Sequence, residues 1–126
     1  MIRIILLFMV ICLVSGCSDS APSFLPAQFW GETEVVVETR PAPVVIGSNE
    51  FLVIASEPNN QPSDNIVVSL RMNKGDSWKQ AIQDGGTGVY RKAMVVRASS
   101  KNVSVRLRRD GEVTVLNFPL FPESAL

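Results

Sequence analysis

The sequence predicts an all-β domain, an antiparallel β-sandwich of about seven strands that follows an N-terminal segment of a different character. Two observations support this prediction. From residue 32 onward, apolar and polar side chains alternate with a period of two, not with the 3.6-residue period of a helix. Clusters of Gly, Asp, Asn and Pro interrupt the alternating runs at regular intervals, as turns between short strands do. A sandwich of short strands is therefore the expected architecture over residues 32–122.

The alternating runs give the positions of the strands. They are predicted at residues 34–39, 50–56, 66–72, 77–82, 89–97, 102–109 and 112–120. Asp110-Gly111 separates the last two, and Asp-Gly between alternating runs is a strong signal for a two-residue hairpin. The sequence does not decide which face of the last strand is buried, because Val113 and Val115 compete with Leu116 and Phe118 for the core.

A hairpin is also predicted between the strands 89–97 and 102–109. Pairing Val96 with Val103 and Met94 with Val105 places all four side chains in the core. The same register places Arg91 opposite Arg108 on the outer face. The predicted interaction face consists of Arg91, Arg97, Arg106 and Arg108.

Arginines directly opposed in a sheet repel each other, so this face requires nearby acids or a ligand. Glu34 and Glu38, on one face of the first strand, are the predicted acids. Residues 18–70 hold seven acids and one base, whereas residues 71–126 hold ten bases and five acids. Either the two halves pair within one fold, or a basic patch binds an acidic partner or lipid head groups. The overall balance of charge gives no reason to expect nucleic acid as a partner.

Residues 1–16 have the composition of a secretory signal peptide. Arg3 precedes an apolar run from Ile4 to Val14, and small residues follow it. The run is too short to span a bilayer, which needs roughly 20 residues. The alternative is a buried N-terminal element of the fold, but nothing polar alternates within the run.

Val14-Ser15-Gly16-Cys17 resembles the lipobox of bacterial lipoproteins. The resemblance implies cleavage between Gly16 and Cys17, and acyl chains on the Cys17 sulfur and on the new amino terminus. Ser18 follows the cysteine, whereas Asp at that position is the inner-membrane retention signal. The resemblance thus implies the periplasmic face of the outer membrane, and Asp19 keeps the inner membrane as an alternative. Residues 17–31 are predicted to be the lipidated cysteine and a flexible tether, with Phe24, Leu25, Phe29 and Trp30 docking at its end.

From Pro43 to Leu120 the order of elements is similar to that of YtkA-like and FixH-like envelope domains, which are Ig-like sandwiches. The resemblance rests on the segments 47–56, 59–72 and 85–96, with Gly88-Val89-Tyr90 as the most recognisable piece. It implies an Ig-like fold, and a role in membrane-protein assembly or in copper delivery.

The residues that catalysis and metal binding require are scarce in this sequence. It has no histidine, and its two cysteines are Cys12, within the predicted signal peptide, and the acylated Cys17. Copper carriers use Met and His ligands, but Met72 and Met94 occupy predicted core positions. No catalytic residue, cofactor or metal is therefore predicted. Glu32, Glu34 and Glu38 are interpreted as a solvated face, residues 84–88 as a turn, and Trp78 and Tyr90 as core or corner residues of the sandwich.

Three hypotheses for the function follow. The first is a non-catalytic lipoprotein that serves as an accessory or assembly subunit for another envelope protein, with addition of a partner strand to a sheet edge as one contact mode. The second is a binding module for an anionic or glycan ligand, using the four arginines. The third is copper delivery, which the lack of histidine disfavours.

Overall fold

The computed structural model describes residues 25–121, which form an antiparallel β-sandwich of two sheets, as the sequence predicts. The predicted signal peptide, Gly16, Cys17 and the residues up to 24 lie outside the described part of the chain, as do residues 122–126. The strands are β1 (Gln28–Trp30), β2 (Thr33–Arg40), β3 (Gly47–Glu57), β4 (Gln61–Pro62), β5 (Val67–Arg71), β6 (Lys79–Gln80), β7 (Ile82–Gln83), β8 (Val89–Val96), β9 (Asn102–Arg109) and β10 (Glu112–Pro119). A single 3-10 turn, Pro58–Asn60, follows β3.

The strand order is that of an Ig sandwich. Sheet A has the order β1-β2-β3-β8-β7, with β4 paired to β3, and sheet B has the order β10-β9-β5-β6. Every pairing is antiparallel. With β1, β4 and β6 set aside, β2-β3-β8-β7 faces β10-β9-β5, which is the ABED and CFG arrangement of Ig domains.

The core lies between the two sheets and is filled by alternate side chains of each long strand. Phe51 and Val53 enter it from β3, Leu70 from β5, Leu107 from β9 and Phe118 from β10, and all five are fully buried. Burial of one such side chain contributes roughly 2 kcal/mol. The core cluster runs from Leu25 to Leu120. The described residues therefore close a complete core by themselves.

The last hairpin forms as predicted. Asp110 and Gly111 have φ angles of 51° and 79°, as both central residues of a type I′ turn require. Phe118 is the buried residue of β10, while Val113 and Val115 face solvent. The structure thereby resolves the alternative that the sequence left open.

The predicted hairpin between 89–97 and 102–109 is wrong. β8 pairs with β3 and β7 in sheet A, whereas β9 pairs with β10 and β5 in sheet B. Val96, Val103 and Val105 are buried as predicted, and Met94 packs against the core, but they meet across the sandwich and not within one sheet. The connection at 97–101 crosses between the sheets. Alternation with a period of two fixes which face is buried, but it does not specify the neighbouring strand.

The predicted strand 77–82 is in fact two strands in different sheets. Ala81 is buried between β6 and β7, and its N–H donates to the Val68 carbonyl at 2.8 Å. The chain therefore passes from sheet B to sheet A around this one residue.

The sandwich also begins earlier than residue 32. β1 and the buried Leu25 belong to it, and the Leu25 N–H donates to the Val37 carbonyl at 2.9 Å. The predicted docking is confirmed for Leu25 and Trp30, since Leu25 joins the core cluster and Trp30 packs against it. It is wrong for Phe29, which is exposed on β1, and Phe24 lies outside the described residues. No helical segment of residues 25–121 is long and apolar enough to cross a membrane.

Candidate interaction surfaces

The four arginines of the predicted interaction face do not share one surface. Arg91 lies on the outer face of sheet A, where its guanidinium is 3.1 Å from Glu50 and 3.1 Å from Asp84. Arg97 follows β8 and lies 2.8 Å from Asp76. Both arginines are therefore neutralised by acids of the same domain.

Arg106 and Arg108 lie on the outer face of sheet B, away from Arg91. The register places Arg106 beside Val115 of β10, and Arg108 beside Val113. Neither arginine forms an ion pair with any residue of the described range. The expected opposition of Arg91 and Arg108 is wrong because β8 and β9 belong to different sheets.

Glu34 and Glu38 were predicted to neutralise the arginine face, but the structure gives this role to other acids. Glu38 lies 3.8 Å from Arg40 and is separated from Arg91 by Leu52, the residue between them in the row across sheet A. The partners of Arg91 come from β3 and from the turn after β7. The sequence could not identify them without the pairing of β8.

Trp78 was interpreted as a core or corner residue of the sandwich, but it lies on the outer face of sheet B. The guanidinium carbons of Arg71 and Arg106 lie 4.3 and 4.7 Å from its ring centroid. Such cation–π contacts are each worth about 0.5–1 kcal/mol at exposed sites. In the sequence, this cluster is indicated only by the position of Arg71, which alternation places on the outward side of β5. Tyr90, by contrast, is in the core as predicted.

A polar cluster links the two sheets at the C-terminal ends of β3 and β9. Arg109 of sheet B lies 2.8 Å from Glu57 of sheet A, and the Thr33 hydroxyl donates to Glu57 at 2.9 Å. The Arg109 guanidinium also lies 4.7 Å from the centroid of Trp30. Hydrogen bonds from Ser63 above all, and then from Thr33 and Arg109, lower the pKa of Glu57 from its ordinary value, against the effect of burial. The cluster holds the sheets together.

The segment Gly88-Val89-Tyr90 has a structural explanation at the same end. Gly88 has a φ of 73°, and a Cβ there would lie 2.6 Å from the Ala55 carbonyl oxygen. The Tyr90 hydroxyl donates to the buried Ser63 carbonyl at 2.8 Å. Burial is the main cause of the raised pKa of Tyr90. This segment therefore serves packing.

The free edge of β10 is the longest sheet edge in the described structure. β10 has eight residues and only one neighbour, whereas the other edge strands, β1, β6 and β7, have two or three residues. Val113 and Val115 are 56% and 44% exposed beside this edge. An open edge with apolar side chains is a template for pairing with another strand.

The turn geometry decides which backbone groups of β10 are free. Arg109 and Glu112 flank a two-residue turn, so they form a hydrogen-bonded pair. Bonded and non-bonded pairs alternate along the ladder, so the backbone groups of Val113, Val115, Asn117 and Pro119 point away from β9. Pro119 has no N–H, and the Asn117 carbonyl accepts a hydrogen bond from the Gln28 side chain. The free groups are therefore centred on Val113 and Val115.

The two ends of the sandwich carry opposite charge. The base-rich end comprises the connections 40–48, 72–77 and 97–101, which hold four basic residues and one acid. The acid-rich end comprises the connections 31–33, 57–66, 84–88 and 109–112, which hold six acids and one base. An open surface cavity of about 360 Å³ at the base-rich end is lined by Lys74 and Lys101 together with Met72 and neutral polar side chains.

Met72 is buried and Met94 packs against the core, as predicted. Within residues 25–121 no three His, Cys, Asp or Glu side chains are grouped so that they could hold a metal ion. No family model, curated protein or solved structure matches the chain. The resemblances to lipoproteins and to YtkA-like and FixH-like domains therefore stay predictions.

Proposed function

We propose that the chain is a non-catalytic lipoprotein, anchored through Cys17 at the periplasmic face of the outer membrane, that binds another envelope protein as an accessory or assembly subunit. The observation that favours this function is the open edge of β10. An extended segment of the partner pairs with that edge and extends sheet B by one strand.

Backbone pairing and apolar burial both act at this edge. The N–H and C=O groups of Val113 and Val115 provide the hydrogen bonds to an added strand, and their side chains are covered by its alternate residues. The Gln28 contact and Pro119 close the far end of the edge. The partner segment is therefore a short strand that pairs with the part of β10 next to the Asp110-Gly111 turn.

The test is affinity capture of the full-length lipoprotein from its native envelopes after detergent extraction. Val115→Pro removes one outward N–H without removing a bond to β9, and it should abolish recovery of the partner. Val115→Thr keeps the N–H and serves as the matched control, which should retain most of the partner. Val115→Lys, a charged edge residue, is a second blocking variant should the proline variant not fold.

Equal recovery of the partner with Val115→Pro and Val115→Lys would rule out the β10 edge. Failure to capture any reproducible partner with the unaltered chain would rule out the function itself. Cys17→Ser provides the anchor control, since it should remove acylation, measured by mass spectrometry of the mature N-terminal peptide.

A second candidate function is binding of an anionic ligand on the outer face of sheet B. Arg71, Arg106 and Arg108 carry positive charge there without an ionic partner among residues 25–121. Guanidinium groups already lie over the Trp78 ring, so a carboxylate or phosphate suits this surface better than a stacked sugar.

Charge reversal tests this second candidate. Arg106→Glu with Arg108→Glu should abolish retention of the protein on an immobilised polyanion such as dextran sulfate. Glu34→Lys on sheet A is a control that leaves the surface intact. Unchanged retention of the double variant would eliminate this candidate.

A further inference from the structure

The base-rich end combines positive charge with exposed apolar side chains. The one acid of its connections, Asp76, is bound to Arg97 at 2.8 Å, and Arg40 lies 3.8 Å from Glu38 of β2. Lys74 and Lys101 therefore carry its unpaired charge. Ile46 and Phe121 are 59% and 52% exposed at this end, and Val45 and Val95 are exposed beside them. Surfaces that lie on membranes combine apolar side chains that enter the head-group region with basic side chains attracted to anionic lipid.

The acid-rich end shows the opposite combination. Its connections carry six acids and one base, and the large exposed hydrophobic residues nearest to them, Ile82 and Val113, lie in the flanking strands. An anionic bilayer repels this end and attracts the other. The charge distribution therefore orients the domain with its strands upright on such a surface.

The first described residues run in the direction of the base-rich end. From Gly31 back to Leu25 the chain runs antiparallel to β2, toward Arg40, and the Leu25 N–H bonds to Val37. The segment from Cys17 to Leu25 spans about 27 Å at most, so a lipid on Cys17 holds the sandwich close to the bilayer. The charge of the base-rich end then decides which end faces that bilayer.

The cavity at this end suits a phosphate group. Lys74 and Lys101 line it together with the amides of Asn73 and Asn102, and no carboxylate belongs to its described lining. Ammonium and amide groups are donors to phosphate oxygens. The phosphate of a lipid head group could accept hydrogen bonds from these side chains, and no carboxylate of the described lining would repel it.

We propose that the base-rich end is a docking surface for anionic phospholipid, which holds the sandwich upright with the acid-rich end directed away from the membrane. This inference takes from the proposed function only that Cys17 holds the chain at a bilayer. In the upright orientation the β10 edge runs along the side of the domain and stays accessible to a partner.

The test uses a chain of residues 18–126, which contains the whole described core and lacks Cys17. Its co-sedimentation with vesicles of phosphatidylglycerol and phosphatidylethanolamine is compared with that on phosphatidylcholine vesicles. Binding is expected to the anionic vesicles, and it should be lost at high salt. Each basic side chain near an anionic surface is worth about fivefold in affinity, so Lys74→Gln with Lys101→Gln should weaken binding roughly 25-fold.

The matched control removes the same charge from the face of sheet B, through Lys79→Gln with Arg108→Gln, and it should retain most of the binding. Ile46→Ser should weaken binding severalfold, while thermal unfolding verifies that each variant is folded. Equal binding to both vesicle types, or equal losses in the two double variants, would overturn the proposal. Retention on dextran sulfate that is lost in Lys74→Gln with Lys101→Gln, without vesicle binding by the parent chain, would instead assign this end to a soluble polyanion. None of these outcomes depends on the β10 edge. Failure of the vesicle experiment can therefore be distinguished from failure of the capture experiment.

Discussion

The two ends of the sandwich differ in what their side chains do as well as in charge. At the acid-rich end, Arg109, Glu57 and Tyr90 are engaged in bonds that join separate strands and both sheets. At the base-rich end, Lys74, Lys101 and the apolar Ile46 face solvent. The acid-rich end therefore joins the two sheets, whereas the base-rich end, whose turns are held by the buried Asn49 and by the Arg97–Asp76 pair, also presents side chains that are free for contact. Substitution of the bonded side chains should reduce stability at the first end, and substitution of Lys74, Lys101 or Ile46 should reduce binding at the second.

The largest effect on stability is expected at Gly88. Gly88→Ala places a Cβ 2.6 Å from the Ala55 carbonyl oxygen, at a φ of 73°. The overlap and the left-handed backbone together should cost about 3 kcal/mol. Chemical denaturation followed by tryptophan fluorescence measures this loss.

Gly75→Ala, at the base-rich end, is the matched control. A Cβ at Gly75 meets no atom within 4 Å, and its φ lies outside the left-handed region. We expect its stability to stay within about 0.5 kcal/mol of the parent chain. Similar losses for the two variants would contradict the comparison between the ends.

A smaller effect is expected at Glu57. Glu57→Gln removes the charge that Arg109 faces at 2.8 Å, and at neutral pH it should cost about 1 kcal/mol, because both groups are partly exposed. The folded state lowers the pKa of Glu57 from its ordinary value of 4.5. Its contribution is therefore complete above pH 4.5 and is lost as the pH falls through the folded-state pKa.

The measurement is urea denaturation of the parent chain and of Glu57→Gln over a range of acidic pH. The difference in unfolding free energy should shrink as the pH falls. Glu32→Gln removes an equal charge from the exposed turn after β1 and should have little effect. A difference that stays constant with pH would show that the Glu57 carboxylate is not the stabilising group.

The positions of the long strands and the sandwich itself could be predicted from the sequence. Alternation with a period of two reports burial on one face of a strand, and burial is what the core requires. The Asp110-Gly111 hairpin was predictable for a local reason, since the positive φ angles of a type I′ turn favour Gly and Asp. Core positions such as Val96, Val103 and Met72 follow from the same pattern.

The partners of each strand could not be predicted, because they depend on contacts between distant segments. The connection 97–101 has the length of a hairpin loop, yet it crosses between the sheets. That one difference separates Arg91 from Arg108, and the predicted arginine face does not form. Trp78 was missed for a related reason: the guanidinium groups that cover it come from β5 and β9.

The short strand β1 also determines how the domain bears mechanical load. Its three residue pairs with β2 run along the strand direction, and the chain from Gly31 back to Leu25 follows β2 as far as Val37. A pull through that chain acts along the strand direction, so the hydrogen bonds between β1 and β2 share the force as they do in shear. If they yield, β1 detaches first, while β2 keeps its ladder with β3 along seven residue pairs. The domain can thus lengthen under tension and still keep β10 in place.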